Sequence, residues 1–402
     1  MTRRWKLSPL LGLLLVVGFA GGAGAQGIPG NPQQPGELAP ADDDFSNVGA
    51  RAAEFLTIPV GARGTALGSA FAAAADDITS IYWNPAGLAF MERPEAFYTF
   101  VNMPLNVNLS YAAIATPVFG GVGVVGGFFE LLDLPSQEIT TVLQPEGTGI
   151  LFESNSLAAG LSYAHNISDR FSAGATAKVV NESIADVDGT ALAFDFGSNY
   201  HTTLFGRSIR LAFAVQNIGS ELKLEGTRLF FDSDPDDLDD RDNIESPIVK
   251  LPDNLFPRRN RGAEQRTGSF TLPAVFKTGV SYAVLEEAGN SLTLAGEFWN
   301  PNNQEEVFAL GAEYRRDLAL AGGGTEGSEG RNASVSLRGG WFFQQDEIDL
   351  GDSPNDSDSL RGLSLGAGLM YDFGMFSAGL DYAYRDLGRI TQNNLFSVSV
   401  GL

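Results

Sequence analysis

The sequence predicts an all-β protein: a 14-stranded antiparallel transmembrane β-barrel with an N-terminal helical plug in the lumen. Three observations predict it. The chain opens on an export signal. From residue 94 onward its hydrophobicity alternates with a period of two in fourteen successive runs. After the signal, no apolar run reaches the roughly 18 residues needed by a bilayer-crossing helix, so a membrane form must be a closed sheet.

Residues 1–25 form the signal. Arg3, Arg4 and Lys6 precede an apolar run over 7–19, and Ala23-Gly24-Ala25 supplies the cleavage site. No Cys follows that site, so no lipid anchor is expected there. The whole chain has 402 residues, no Cys, 48 Gly, 28 Phe and a net charge of −23. The signal carries three basic and no acidic residues, so the mature chain is more acidic still. That charge argues against nucleic acid as a partner. An exported chain without Cys cannot rely on disulfides, so burial and hydrogen bonding must hold it together.

Residues 26–44 are rich in Pro, Gly and Gln, end in Asp42-Asp43-Asp44, and read as a flexible leader. Residues 45–93 read as the plug. A short helix is expected over 45–56 and another in the Ala-rich stretch 65–75. Asn84-Pro85-Ala86-Gly87 should break any helix, because Pro85 biases Asn84 away from the α region and Gly87 permits a turn. With few large side chains before Ile81, Tyr82 and Trp83, this segment cannot build a core alone and must be enclosed.

The enclosing strands occupy 94–402. The runs span 94–102, 107–116, 121–132, 155–166, 170–184, 189–202, 207–219, 268–285, 290–300, 305–315, 331–343, 360–373, 375–386 and 392–402. Most reach the 9 to 11 residues or so that a tilted strand needs to cross a bilayer, and an even count suits a single-chain barrel. The connections alternate too. Those over 117–120, 167–169, 203–206, 286–289 and at Gly374 are short, with 316–330 the exception. Those over 133–154, 220–267 and 344–359 are long. Short turns then lie in the periplasm with both termini, and long loops face outward.

A soluble sandwich shows the same alternation, but here the polar faces carry mixed charge among small residues. The expected lumen-facing charges are Lys178, Asp195, Arg210, Glu297, Glu313, Arg315, Arg338, Asp372, Asp381 and Arg385. The apolar faces carry aromatics near strand ends, such as Phe171, Tyr200, Phe373 and Phe376, as an interfacial girdle does.

At 59–90 the pattern resembles the PorV/PorQ family, a branch of FadL-like outer-membrane barrels. The matching residues are Gly61-Ala62-Arg63-Gly64, Leu67-Gly68, Asp76-Asp77 and Tyr82-Trp83-Asn84-Pro85-Ala86-Gly87-Leu88. The plug motif is therefore taken as Gly61, Arg63, Gly68, Asn84, Pro85, Ala86 and Gly87. The resemblance implies an outer-membrane location and, as its first reading, a type IX secretion component that binds or hands over exported cargo proteins. The alternative is passive transport of hydrophobic small molecules across the outer membrane. Expected partners are outer-membrane lipid and lipopolysaccharide, secretion-system proteins and exported cargo.

Other motifs carry less. The acidic stretches 232–245 and 346–358 lack the spacing of a calcium loop and read as solvated surface, so no metal is expected. Gly121, Gly123 and Gly126 match a dinucleotide fingerprint in form only, since a strand and not a helix follows; eased strand curvature or a close plug contact is the better reading. His165 and His201 read as residues near turns. No catalytic triad or cofactor motif is present, so neither enzyme activity nor a cofactor is expected.

Overall fold

Fourteen wall strands close on themselves in a computed structural model of the chain, which describes residues 51–118, 120, 122–140, 144–226, 230–233, 261–264, 267–287, 289–320, 331–344, 362–388 and 392–402. The signal, the leader and most of both acidic stretches lie outside these residues. The strands are β1 Glu95–Asn102, β2 Asn108–Val118, β3 Gly123–Glu138, β4 Leu151–Ser168, β5 Phe171–Ile184, β6 Val187–Leu204 and β7 Arg207–Gly219. They continue as β8 Val275–Glu287, β9 Asn290–Pro301, β10 Val307–Leu320, β11 Arg331–Gln344, β12 Leu363–Asp372, β13 Ser377–Asp386 and β14 Gln392–Gly401. Each pairs antiparallel with its neighbours in sequence. β1 closes the ring on β14, from Glu95 opposite Gly401 to Asn102 opposite Asn394. No edge remains to recruit another strand.

Strand alternation sorts the side chains. Ile114, Leu161, Leu310, Leu337 and Leu380 point outward and are all more than half exposed, while their sequence neighbours point inward and are buried or half-buried. A monomer in water does not expose an apolar belt of this extent; lipid is its natural solvent. Phe171 faces Tyr200 across β5 and β6 on the outer face at the short-turn end, and Phe373 stacks on Phe376 there. The girdle is therefore where the sequence places it, and the protein belongs in the outer membrane of a Gram-negative bacterium.

The strand boundaries shift in three places. The expected loop 133–154 is shorter, because Leu134 still pairs with Ser154 and Glu138 with Leu151. β8 starts at Val275 and not at 268, since Pro273 cannot donate to a ladder; Ser269 and Phe270 pair instead with Lys223 and Leu222 in the outer loop. β10 runs on to Leu320, which narrows the connection expected over 316–330. The short turns need little sequence. Phe205 and Gly206 both have positive φ, the signature of a two-residue hairpin turn between Leu204 and Arg207.

Among the described residues the plug is much less helical than expected; residues 45–50 of the helix expected over 45–56 lie outside them. Helix α1 covers only Ala62–Ala66, α2 only Ser80–Trp83, and single 3-10 turns cover Glu54–Thr57 and Pro85–Phe90. The helix expected over 65–75 stops because Gly68 and Ser69 both take left-handed backbone, φ 64° and 70°. That kink presses the plug backbone onto the wall. A side chain on Gly311 would collide with the Leu67 backbone, and one on Gly340 with Leu67 and Gly68. A second difference concerns direction. Ala52 donates its backbone N–H to Thr271 O (3.2 Å), and Arg51 Nη2 bonds Asn302 O (2.9 Å), so the described chain starts at the long-loop end. The start of β1 and the end of β14 lie on the short-turn side. The plug thus threads the whole lumen before β1 begins.

Candidate functional site

A plug with so little regular structure leaves backbone groups without helical partners, and those groups must find partners once buried. The wall supplies them. Glu297 Oε2 accepts from Ala72 N–H (2.7 Å), and Ser281 Oγ donates to Ala73 O (3.1 Å). Ser172 Oγ donates to Ala86 O (3.2 Å), and Ser397 Oγ accepts from Ala62 N–H (2.9 Å). This is one physical reason for the polar inner face: it solvates a peptide.

Asn84 is the hinge of the motif. Fully buried and extended (φ −163°), it accepts from Ala86 N–H at Oδ1 (3.2 Å) and so caps the turn that Pro85 opens. Its Nδ2 donates to Ala72 O (3.0 Å) within the plug and to Ser198 O (3.3 Å) on β6. The four residues therefore end one helix and start the next turn. Gly87 lies against Ala75 O, where a Cβ would come within 2.5 Å, and Gly174 of β5 lies as close to the Pro85 backbone. Asn84→Ala strands the carbonyls it serves and is expected to cost about 2–3 kcal/mol, seen as a lower denaturant midpoint for the folded barrel on a heat-modifiability gel.

Arg63 is the electrostatic centre. Its guanidinium reaches Asp76 (2.7 Å) and Asp77 (2.8 Å) in the plug, and grips both oxygens of Glu313 on β10 (3.1 and 2.9 Å). Glu313 also accepts from Arg338 Nε on β11 (2.7 Å), and Arg338 in turn bonds Asp381 on β13. On the other side Asp76 bonds Arg210 on β7 (3.1 Å). One chain of alternating charges therefore crosses the lumen from β7 to β13 through the plug. Burial pushes the Asp76 carboxyl up, but Arg63 and Arg210 outweigh it and hold it below the usual aspartate range.

Of the charges expected in the lumen, four join this network, Arg210, Glu313, Arg338 and Asp381, whereas Arg385 stands apart from it and bonds Ser69 Oγ of the plug (3.2 Å). Lys178 and Asp195 form a separate buried pair (2.9 Å). Glu297 holds the plug and Trp299 Nε1 (2.6 Å). Arg315 and Asp372 share the inward register but sit at the short-turn mouth, Arg315 paired with Asp317 and Asp372 accepting from Gly374 N–H. Among the residues not anticipated are Lys277 and Glu130, both inward and buried. Lys277 Nζ lies over the rings of Trp299 (4.2 Å), Trp83 (5.2 Å) and Tyr82 (5.8 Å). The alternation rule that identifies Lys178 identifies Lys277 and Glu130 as well. Gly126 approaches Ile81 of the plug, as the close-contact reading expects.

The plug divides the lumen into two unlike compartments. Toward the short turns, a cavity of about 360 Å³ is lined by both signs of charge and by Ser334, Ser336, Ser377, Ser397 and Ser399. Toward the long loops, a cavity of about 240 Å³ lies between the plug and β9 to β13, among Pro59, Trp299, Val307, Phe342, Leu387 and Arg385. Beside it a crevice of about 30 Å³, room for one water, reaches Tyr82, Tyr111, Phe128 and Lys277. On the lipid side, Val125, Leu161, Tyr163, Phe194 and Phe196 border a groove of about 290 Å³, but the β3–β4 and β4–β5 ladders beneath it are continuous. The lateral opening that a hydrophobic route invites is closed there. Among the described residues no group of three or more His, Cys, Asp or Glu is placed to hold a metal.

No family model and no characterised protein matches this sequence. Solved structures resemble it in fold. The Pseudomonas putida toluene transporter TodX is 10% identical, with 85% of this chain and 97% of that one covered at a TM-score of 0.49. The Ralstonia pickettii toluene transporter TbuX is 12% identical over 85% and 97%, TM-score 0.46. A Pseudomonas aeruginosa FadL homologue is 10% identical over 86% and 98%, TM-score 0.45.

Proposed function

We propose that this barrel carries small hydrophobic or amphipathic molecules passively across the outer membrane, with the plug as its gate. The observation that carries the reading is the 240 Å³ cavity at the outer end of the lumen, walled by Trp299, Phe342, Val307, Pro59 and Leu387. A small apolar-walled cavity with a few polar groups is the usual form of a small-molecule site. Its floor is the plug, so a solute held there is stopped short of the charged compartment beyond. TodX and TbuX, which resemble it in fold, are toluene transporters, and toluene is a solute of the same class.

The alternative, handover of exported cargo in type IX secretion, places the work in the outer loops. Most of the long loop before β8 lies outside the described residues, and no feature of the inner site favours that reading over transport.

The test is uptake of a radiolabelled single-ring hydrocarbon by cells whose outer membrane carries this barrel as its only added channel. Wild type should raise the uptake rate above empty-vector cells, and Val307→Trp, which fills the cavity, should return it to background. Equal uptake with and without the barrel would overturn the reading.

A further inference from the structure

The inner wall near the outer end holds a cluster of polar groups that nothing among the described residues satisfies. Arg385 of β13 sits in register between Ser364 of β12 and Asn393 of β14. All three face inward and are at least nine-tenths buried. Arg385 Nε, Ser364 Oγ and Asn393 Oδ1 each lack a hydrogen-bond partner. Among the described residues Arg385 forms no ion pair, and its one hydrogen bond is the neutral contact from Nη1 to Ser69 Oγ. This contrasts with Arg63 and Arg338, each held by carboxylates, and with Lys178. A buried guanidinium has five donors and a full charge, and leaving them unmet is costly. Arg385 Cζ also lies over the Phe342 ring, 4.1 Å from its centroid, and both residues line the 240 Å³ cavity.

From this we infer that the cavity is an anion seat with an aromatic wall, and that its ligand is a single-ring aromatic carboxylate. Charge sets the head group: of the three residues Arg385 lines the cavity, and its guanidinium is suited to a carboxylate. Size sets the body. An apolar cavity of about 150 Å³ already accepts benzene, so 240 Å³ holds one ring with a carboxylate and leaves no space for a long acyl chain. Trp299 and Phe342 supply aromatic lining for the ring. The inference rests on the transport reading only for its biological use, because binding is measured without transport.

The experiment is calorimetric titration of benzoate and of benzyl alcohol, its uncharged near-isostere, into the purified full-length barrel in detergent micelles. Benzoate should bind at least about tenfold more tightly, the return expected of one charge-assisted, buried contact. Arg385→Gln should bring the two affinities within about twofold. Equal affinities in wild type, as expected if water alone fills the cluster, would overturn the inference. So would no benzoate binding at all, or an undiminished preference in Arg385→Gln. Should that variant not fold, the wild-type ratio decides. Hydrocarbon uptake without a benzoate preference leaves the transport reading standing and removes this one; a benzoate preference without uptake does the reverse.

Discussion

Arg63→Ala should turn a closed barrel into a conducting one and lower its stability by about 2–3 kcal/mol. Removing one partner of a buried ion pair strands the others, which costs about 3–5 kcal/mol where water is fully excluded. Arg63 borders the 360 Å³ wet compartment and keeps 22% of its side chain exposed, so the lower figure is expected. Asp76, Asp77 and Glu313 would be left with only Arg210 and Arg338 between them. The plug segment around α1 then repels the wall where it was held. Planar-bilayer recording reads the outcome: wild type silent, Arg63→Ala showing discrete open events, Arg63→Lys intermediate because a point charge cannot grip both Glu313 oxygens. A silent Arg63→Ala channel of unchanged stability would refute the latch.

Acid should act on the same latch, with a definite sign. The folded pKa of Asp76 lies below its ordinary value, so its contribution is complete above about pH 4 and is lost only as pH falls through the lowered folded value. Between pH 7 and 5 the wild-type channel is therefore expected to stay shut.

How much of this could be read in the sequence differs between wall and plug. The wall was legible because its rule is local. A period of two with one lipid face constrains every residue, so Leu337 and Arg338 declare their sides without knowledge of partners. Fourteen runs gave fourteen strands, and the inward charges named from the pattern all face inward. The plug was not legible in that way. Ala-rich sequence favours helix over 65–75, yet what fixes that segment is contact of Leu67 and Gly68 with Gly311 and Gly340, far away along the chain. Tertiary packing overrides propensity here. The motif Asn84-Pro85-Ala86-Gly87 was visible as a break, but its hydrogen bonds to Ala72 and Ser198 depend on the folded barrel. The orphan cluster at Arg385 was invisible for a different reason. An inward arginine looks alike in sequence whether or not a carboxylate waits across the lumen.

The seat of the plug can be tested apart from its charges by comparing two glycines. Gly68 and Gly374 both take left-handed backbone, φ 64° and 88°. A Cβ on Gly374 meets nothing within 4 Å, whereas one on Gly68 lies 2.5 Å from Trp341 N and 2.9 Å from Trp341 C and O. Gly374→Ala therefore carries only the conformational penalty, about 1–2 kcal/mol. Gly68→Ala adds a collision between two backbones, neither of which is a flexible side chain that can swing aside. The pair should differ by at least about 2 kcal/mol, within the range that overpacking produces. The form of the damage should differ as well. The ring of strands does not depend on Gly68, so its heat-modifiable band should survive while the plug lifts off β11. Trypsin reports the lifting: Arg63 is shielded in wild type by Glu313, Asp76 and Asp77, and the folded Gly68→Ala barrel should be cut there. If Gly68→Ala resists trypsin as Gly374→Ala does, the close approach of plug to wall is not what holds the plug, and the latch must rest on charge alone.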